Sequence, residues 1–200
     1  MPAIPEGNLV FDFPDADNWH AFKYDDTDLT KPGFYRERIG VLQVKGMEGI
    51  KGVDIVAGIK PDFYDLTLLE IKDFREDEPG LREKVSTGEI PIEIIHKALH
   101  TWGALCLGAR ADDALLPDNL RTAILRPPQR LRVVFFLAQL PIRQSPNERD
   151  TRIKKENRRK QRQGILKRMQ EGLKPLGIKS DLAGLGELPD RCGWTVTELL

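Results

Sequence analysis

Two hundred residues suffice for one domain with a real hydrophobic core. With 40% hydrophobic and 31% charged residues the chain is globular rather than disordered, and no apolar run is long enough to span a bilayer. The formal net charge is zero, yet residues 1–100 hold 12 Lys and Arg against 20 Asp and Glu, while residues 148–174 hold 11 against 4. An acidic half joined to a basic segment suits either a metal site beside a polyanion-binding surface or two oppositely charged solvated faces.

The opening stretch MPAIPEGNLVFDFPDADNW lacks a basic region followed by an apolar one, so no secretory leader is expected. Trp19, Phe22 and Tyr24 among acids, with Asp15 or Asp17 as N-cap, predict a short helix within 15–30, followed by a turn at LTKPGF. RIGVLQV (38–44) reads as a strand and 46–52 as a turn. VDIVAGI (53–59) is apolar and β-branched except for Asp54, which predicts a second strand. After the turn KPDFYD a third strand runs over 66–74, and the three form an antiparallel meander.

The polar stretch REDEPGLREKVSTGE reads as a loop. Ile92, Ile95, Leu99, Trp102, Leu105, Cys106 and Ala109 then recur at helical spacing, marking one long amphipathic helix that ends near Gly108. RVVFFLAQL (132–140) has the continuous apolar character of a strand covered on both faces. A basic helix is expected over 148–174 and a short edge strand over 193–200. The expected architecture is a single α/β domain, a mixed sheet flanked by helices, with its core at about 15–140. Cys106 and Cys192 fall in no CxxC or Cys/His pattern, which points away from zinc and disulfides and towards a reducing cytoplasm.

The stretch LLEIKDFRE (68–76) places Glu70 and Lys72 on one face of a strand that otherwise reads as buried, roughly 7 Å apart. If the strands carrying Asp54 and Glu70 pair as a hairpin, Asp54, Glu70 and Lys72 converge at one end of the sheet. A buried charge is costly unless it is paired or binds a metal. Two converging carboxylates without a nearby His or Cys suit Mg²⁺ or Mn²⁺. Taken alone, Glu-x-Lys on a strand means an exposed ion pair worth little.

Asp54 followed sixteen residues later by Glu70-Ile71-Lys72 resembles the signature of the PD-(D/E)xK nucleases, the restriction-endonuclease-like fold. The expected order αβββαβ is similar to that family's core. The resemblance covers about residues 15–140, with specific motifs only on the strand pair, and Val53 stands where the family often has Pro. It implies a metal-dependent nuclease, acting on DNA more than RNA. Asp54, Glu70 and the backbone carbonyl of Ile71 would hold Mg²⁺ or Mn²⁺, with Lys72 catalytic, either as a proton acceptor or as a fixed charge. LEIKDFRE also resembles small bacterial members linked to mobile-element or phage defence. An upstream acid would come from Asp25, Asp26 or Glu37, although a surface salt bridge accounts better for Glu37. Lys97, off the apolar stripe, is an accessory candidate or the i,i+4 partner of Glu93. His96 and His100 share a helix face without a further soft ligand, and Trp102 reads as core.

In the basic helix, Lys155, Arg158, Arg159 and Arg162 share a face and form a candidate stripe for nucleic-acid backbone. The same helix could instead dock on the acidic half of the chain. No sequence-reading element is evident, which leaves targeting to a protein partner or a homodimer, with no membrane involved. The rival reading is a non-catalytic nucleic-acid-binding or assembly subunit that retains the nuclease fold.

Overall fold

Two sheets stack face to face, with helices on the outer side of the larger one. The computed structural model describes residues 3–14, 17–26, 28, 30, 32–41, 50–126, 130–144, 146–190 and 192–199. Its strands are β1 (Ala3–Glu6), β2 (Leu9–Asp12), β3 (Trp19–Lys23), β4 (Ile55–Ile59), β5 (Asp65–Asp73), β6 (Arg130–Ala138), β7 (Lys179–Ala183) and β8 (Thr195–Glu198). The helices are α1 (Glu78–Thr87), α2 (Glu89–Arg110), α3 (Asp118–Ile124) and α4 (Glu148–Leu173), with a π-helical stretch at Tyr35–Gly40.

The larger sheet has the order β3-β4-β5-β6-β7. β3, β4 and β5 pair antiparallel, while β5-β6 and β6-β7 pair parallel. Parallel neighbours need a crossover, here α1–α3 and then α4. β1, β2 and β8 form the smaller antiparallel sheet.

Side-chain alternation divides the core in two. Leu66 and Leu68 of β5, and Val133, Phe135 and Leu137 of β6, pack with the helices, including Ile94 and Leu105 of α2 and Ile165, Met169 and Leu173 of α4. Leu69, Ile71, Val134, Phe136 and Ala138 face the small sheet, where Phe11 meets Phe136 edge-to-face at 5.0 Å between ring centroids.

Several expectations change. The segment expected to form a helix within 15–30 is β3. Trp19 and Ala21 join the small-sheet core while Phe22 packs towards the helices, so these side chains follow a period of two. A three-stranded antiparallel meander is present, but its first strand is β3 in place of 38–44. Residues 38–41 of the expected strand are helical, and 42–44 lie outside the described residues. The stretch read as a polar loop contains α1, whose N-cap Asp77 accepts a hydrogen bond from Gly80 N and whose C-cap Gly88 sits at φ 74°. Leu81 buries its one apolar face. Ile92, placed on the buried stripe of α2, is 54% exposed, and the buried line runs instead through Ile90, Ile94, Ala98, Thr101 and Leu105. The smaller sheet's β1 and β2, with α3 and β7, were not anticipated.

Candidate active site

The mouth of the β4–β5 hairpin is where polar groups enter the sheet. Asp54 immediately precedes β4. Its N–H donates to Leu69 O at 3.1 Å and its carbonyl accepts from Tyr24 N at 2.7 Å, so its backbone is fixed between β3 and β5. Its carboxylate Oδ2 accepts from the N–H of Ile71. A residue's N–H and C=O leave an extended strand on the same side, so the Ile71 carbonyl also faces the Asp54 edge.

Glu70 projects from the helix-facing side of β5 and is 0% exposed, while Asp54 is 6% exposed. Two lysines converge on Glu70 Oε1: Lys97 Nζ at 2.6 Å and Lys72 Nζ at 3.4 Å. Lys72 also bonds Glu93 Oε1 at 3.0 Å. The helix pair anticipated between Glu93 and Lys97 is therefore replaced by two cross-element pairs. Lys97, expected off the buried stripe, is 8% exposed, because α2 packs directly across β5. An ammonium buried this deeply requires an anionic partner, and Glu70 supplies it.

The electrostatics follow from this crowding. Burial, then the charge of Asp54, push Glu70 up to about 7 against the pull of Lys97. Burial also raises Asp54, with Lys97 and the Ile71 N–H opposing. Asp25 is pushed up to about 7 by burial and by Asp54 and Glu6. Of the three upstream acids considered, Asp25 is the one that feels the charge of Asp54. Asp26 instead accepts from Asp28 N, and Glu37 pairs with Arg36 at 3.3 Å. Burial works to lower Lys72, but Glu70 and Glu93 outweigh it and raise it, which favours its ammonium form.

Glu70 Oε2 and Asp25 Oδ1 are buried without a hydrogen-bond partner. Buried carboxylate oxygens with unused lone pairs fit a hard divalent cation. Among the described residues no three His, Cys, Asp or Glu side chains gather into a metal cage. A cation at this place would therefore rest on Asp54, Glu70 and the Ile71 carbonyl. His96 and His100 stack with ring centroids 6.1 Å apart and line a shallow cleft with Lys51, Glu93 and Lys97. Trp102 is partly buried against the core.

The predicted basic stripe is partly engaged within the chain. Arg158 donates to Leu140 O at 2.8 Å, Arg159 pairs with Glu156 at 2.9 Å, and Arg162 reaches Glu187 at 3.2 Å. Lys155 lines a groove with these three arginines over Ile142, Leu166 and Leu182. No helix among the described residues is long and apolar enough to cross a membrane. Compared with family models, curated proteins and solved structures, the chain finds no match.

Proposed function

We propose that this chain is a divalent-metal-dependent nuclease with a restriction-endonuclease-like core, hydrolysing phosphodiester bonds of nucleic acid, DNA before RNA. The observation that carries the reading is Glu70. It is a wholly buried carboxylate beside Asp54, with one oxygen unpartnered and two ammonium groups within 3.4 Å of the other. A salt bridge that served only stability would have no use for an orphaned oxygen and a second carboxylate, both of which cost free energy in the interior.

Asp54, Glu70 and the carbonyl of Ile71 would hold Mg²⁺ or Mn²⁺. When bound, such an ion neutralises charge on a phosphate and brings a water's acidity towards neutrality. The chain's own groups do the remainder. The Ile71 N–H orients the Asp54 carboxylate, and Glu93 fixes the Lys72 ammonium where it faces the same centre. Lys72, kept protonated by its two carboxylate neighbours, stabilises negative charge developing on the phosphate and orients the attacking water by hydrogen bonding. Lys97 lowers the cost of ionising Glu70.

Cleavage of plasmid and single-stranded DNA by wild type and Lys72→Ala, with Mg²⁺, Mn²⁺ or EDTA, tests this. Metal-dependent cutting that the variant loses supports the assignment. An inert wild type that also binds no Mg²⁺ by calorimetry refutes it. A second reading has its own observation. The 2.6 Å Lys97–Glu70 contact already gives Glu70 a counter-charge, as a non-catalytic nucleic-acid-binding or assembly subunit would need. Under that reading Lys72→Ala leaves nucleic-acid binding and in-cell function intact.

A further inference from the structure

Beyond the catalytic carboxylates, the structure holds a cleft of about 730 Å³ between α1 and α4. Its floor is the segment 139–143 that follows β6, and its walls carry Arg82 from α1 and Lys154, Asn157, Arg158 and Gln161 from α4. Among the described residues four cations, Arg82, Arg143, Lys154 and Arg158, line it against one carboxylate, Glu78. Glu78 is engaged by Arg82 at 2.9 Å, and Arg158 is turned to Leu140 O at 2.8 Å. Among the described residues Arg143 and Lys154 have no ion-pair partner, so the cleft carries uncompensated positive charge.

Its position relative to the proposed catalytic centre follows from strand register. Lys72 pairs with Leu137 across the parallel β5–β6 ladder. Gln139, just past the end of β6, lines the cleft with residues of α1 and α4, and the helices pack on the sheet face from which Glu70 and Lys72 project. Gln139 Oε1 is buried without a hydrogen-bond partner at the floor of the cleft. The cleft therefore opens from the end of the sheet where Glu70 and Lys72 stand. On α4, Lys154, Arg158 and Gln161 fall at i, i+4 and i+7, a row about 10 Å long.

We infer that this cleft is the track along which a nucleic-acid backbone leaves the catalytic centre, gripped through its phosphates by Arg143, Lys154, Arg82 and Arg158. The inference rests on the nuclease reading for its substrate class. It shifts the contact surface on α4 from the predicted stripe of Lys155, Arg158, Arg159 and Arg162 to a neighbouring row that shares Arg158 with it. Among the described residues no aromatic side chain lines the cleft, so it offers no stacking platform for bases, and recognition here is of the backbone and independent of sequence.

Binding measured apart from cleavage tests it. Fluorescein-labelled 20-nucleotide single strands and duplexes of the same length are titrated with wild type in EDTA, from 50 to 300 mM NaCl, by anisotropy. Arg143→Ala/Lys154→Ala is expected to weaken binding at least tenfold at 100 mM salt. It should also flatten the slope of log K against log[salt] by about 1.4 to 2, one released counterion per lost contact. Both side chains are exposed, so the variant's melting temperature should match wild type and exclude misfolding. Lys155→Ala/Arg159→Ala is expected to change affinity less than about threefold. Unchanged affinity and slope in the first variant overturn the inference, as does an equal or larger loss in the second. The second result would leave the nuclease reading intact, because it relocates the track without touching the metal site. Absence of binding by wild type to either probe also overturns the track, and the cleavage assay then decides the nuclease reading separately.

Discussion

Lys97→Met probes the buried network without emptying the space that the side chain fills, because methionine is also long and unbranched. In wild type, Glu70 titrates near 7 as the balance of burial and Asp54, which raise it, against Lys97, which lowers it. Removing the ammonium removes the main opposing pull, so the variant's Glu70 keeps its proton to a higher pH. At pH 5 Glu70 is protonated in both proteins, and the change removes one hydrogen bond, about 1 kcal/mol. Above pH 7 wild-type Glu70 is ionised and the variant's is not. The variant then loses relative stability at about 1.4 kcal/mol per pH unit, towards the roughly 3–5 kcal/mol of a broken buried pair. Near pH 9 the difference should be about 4 kcal/mol, or about 8–16 °C in melting temperature for a chain of this size. Urea denaturation in EDTA at pH 5, 7 and 9 measures it. A difference of the same size at all three pH values would refute the assignment of Lys97 as the counter-ion of Glu70.

Wild type without metal should itself lose stability as pH rises. A carboxyl raised from 4.5 to about 7 by folding contributes fully below its unfolded value, and that contribution is gone once pH passes its folded one. For Glu70 the loss is about 3 kcal/mol between pH 4.5 and 7, and Glu70→Gln should flatten this part of the profile while abolishing any metal-dependent cleavage. Mg²⁺ should raise the melting temperature more at pH 8 than at pH 5, since protons compete for the same oxygens. Equal shifts at both values would argue against a carboxylate site. Gly58→Ala should destabilise by about 1–3 kcal/mol in thermal unfolding, because a Cβ there would stand 2.6 Å from Phe63 Cδ1 and 3.2 Å from Asp65 O.

The hairpin carrying the candidate site was legible because its signals are local. Apolar β-branched runs broken by one acid, and then by Glu-x-Lys, specify both strands and the face that the charged groups share. The long helix and the basic helix were legible from periodicity in the same way. Other elements were hidden by competing local signals. Trp19, His20, Ala21 and Phe22 form a strand because β4 offers an edge and two cores receive alternate side chains, and no neighbour in sequence announces either. In α1 the cap signals Asp77 and Gly88 were present, but a single buried Leu81 was too little apolar character to stand out from the charge around it.

What only the tertiary structure decided is which charge meets which. In sequence, Glu93 and Lys97 are a helix pair and Lys72 is the neighbour of Glu70. Packing α2 across β5 replaces the helix pair: it buries Lys97 on Glu70, which Lys72 still reaches at 3.4 Å, and turns Glu93 to Lys72. The same packing divides the basic face of α4 around the segment that follows β6, leaving Arg143 and Lys154 in one cleft and Lys155 in another. Sequence by itself determined which groups are charged and which face of their own element they occupy. The partners of those groups depend on where other elements, tens of residues away, come to rest. Burial then sets how strongly each pair interacts.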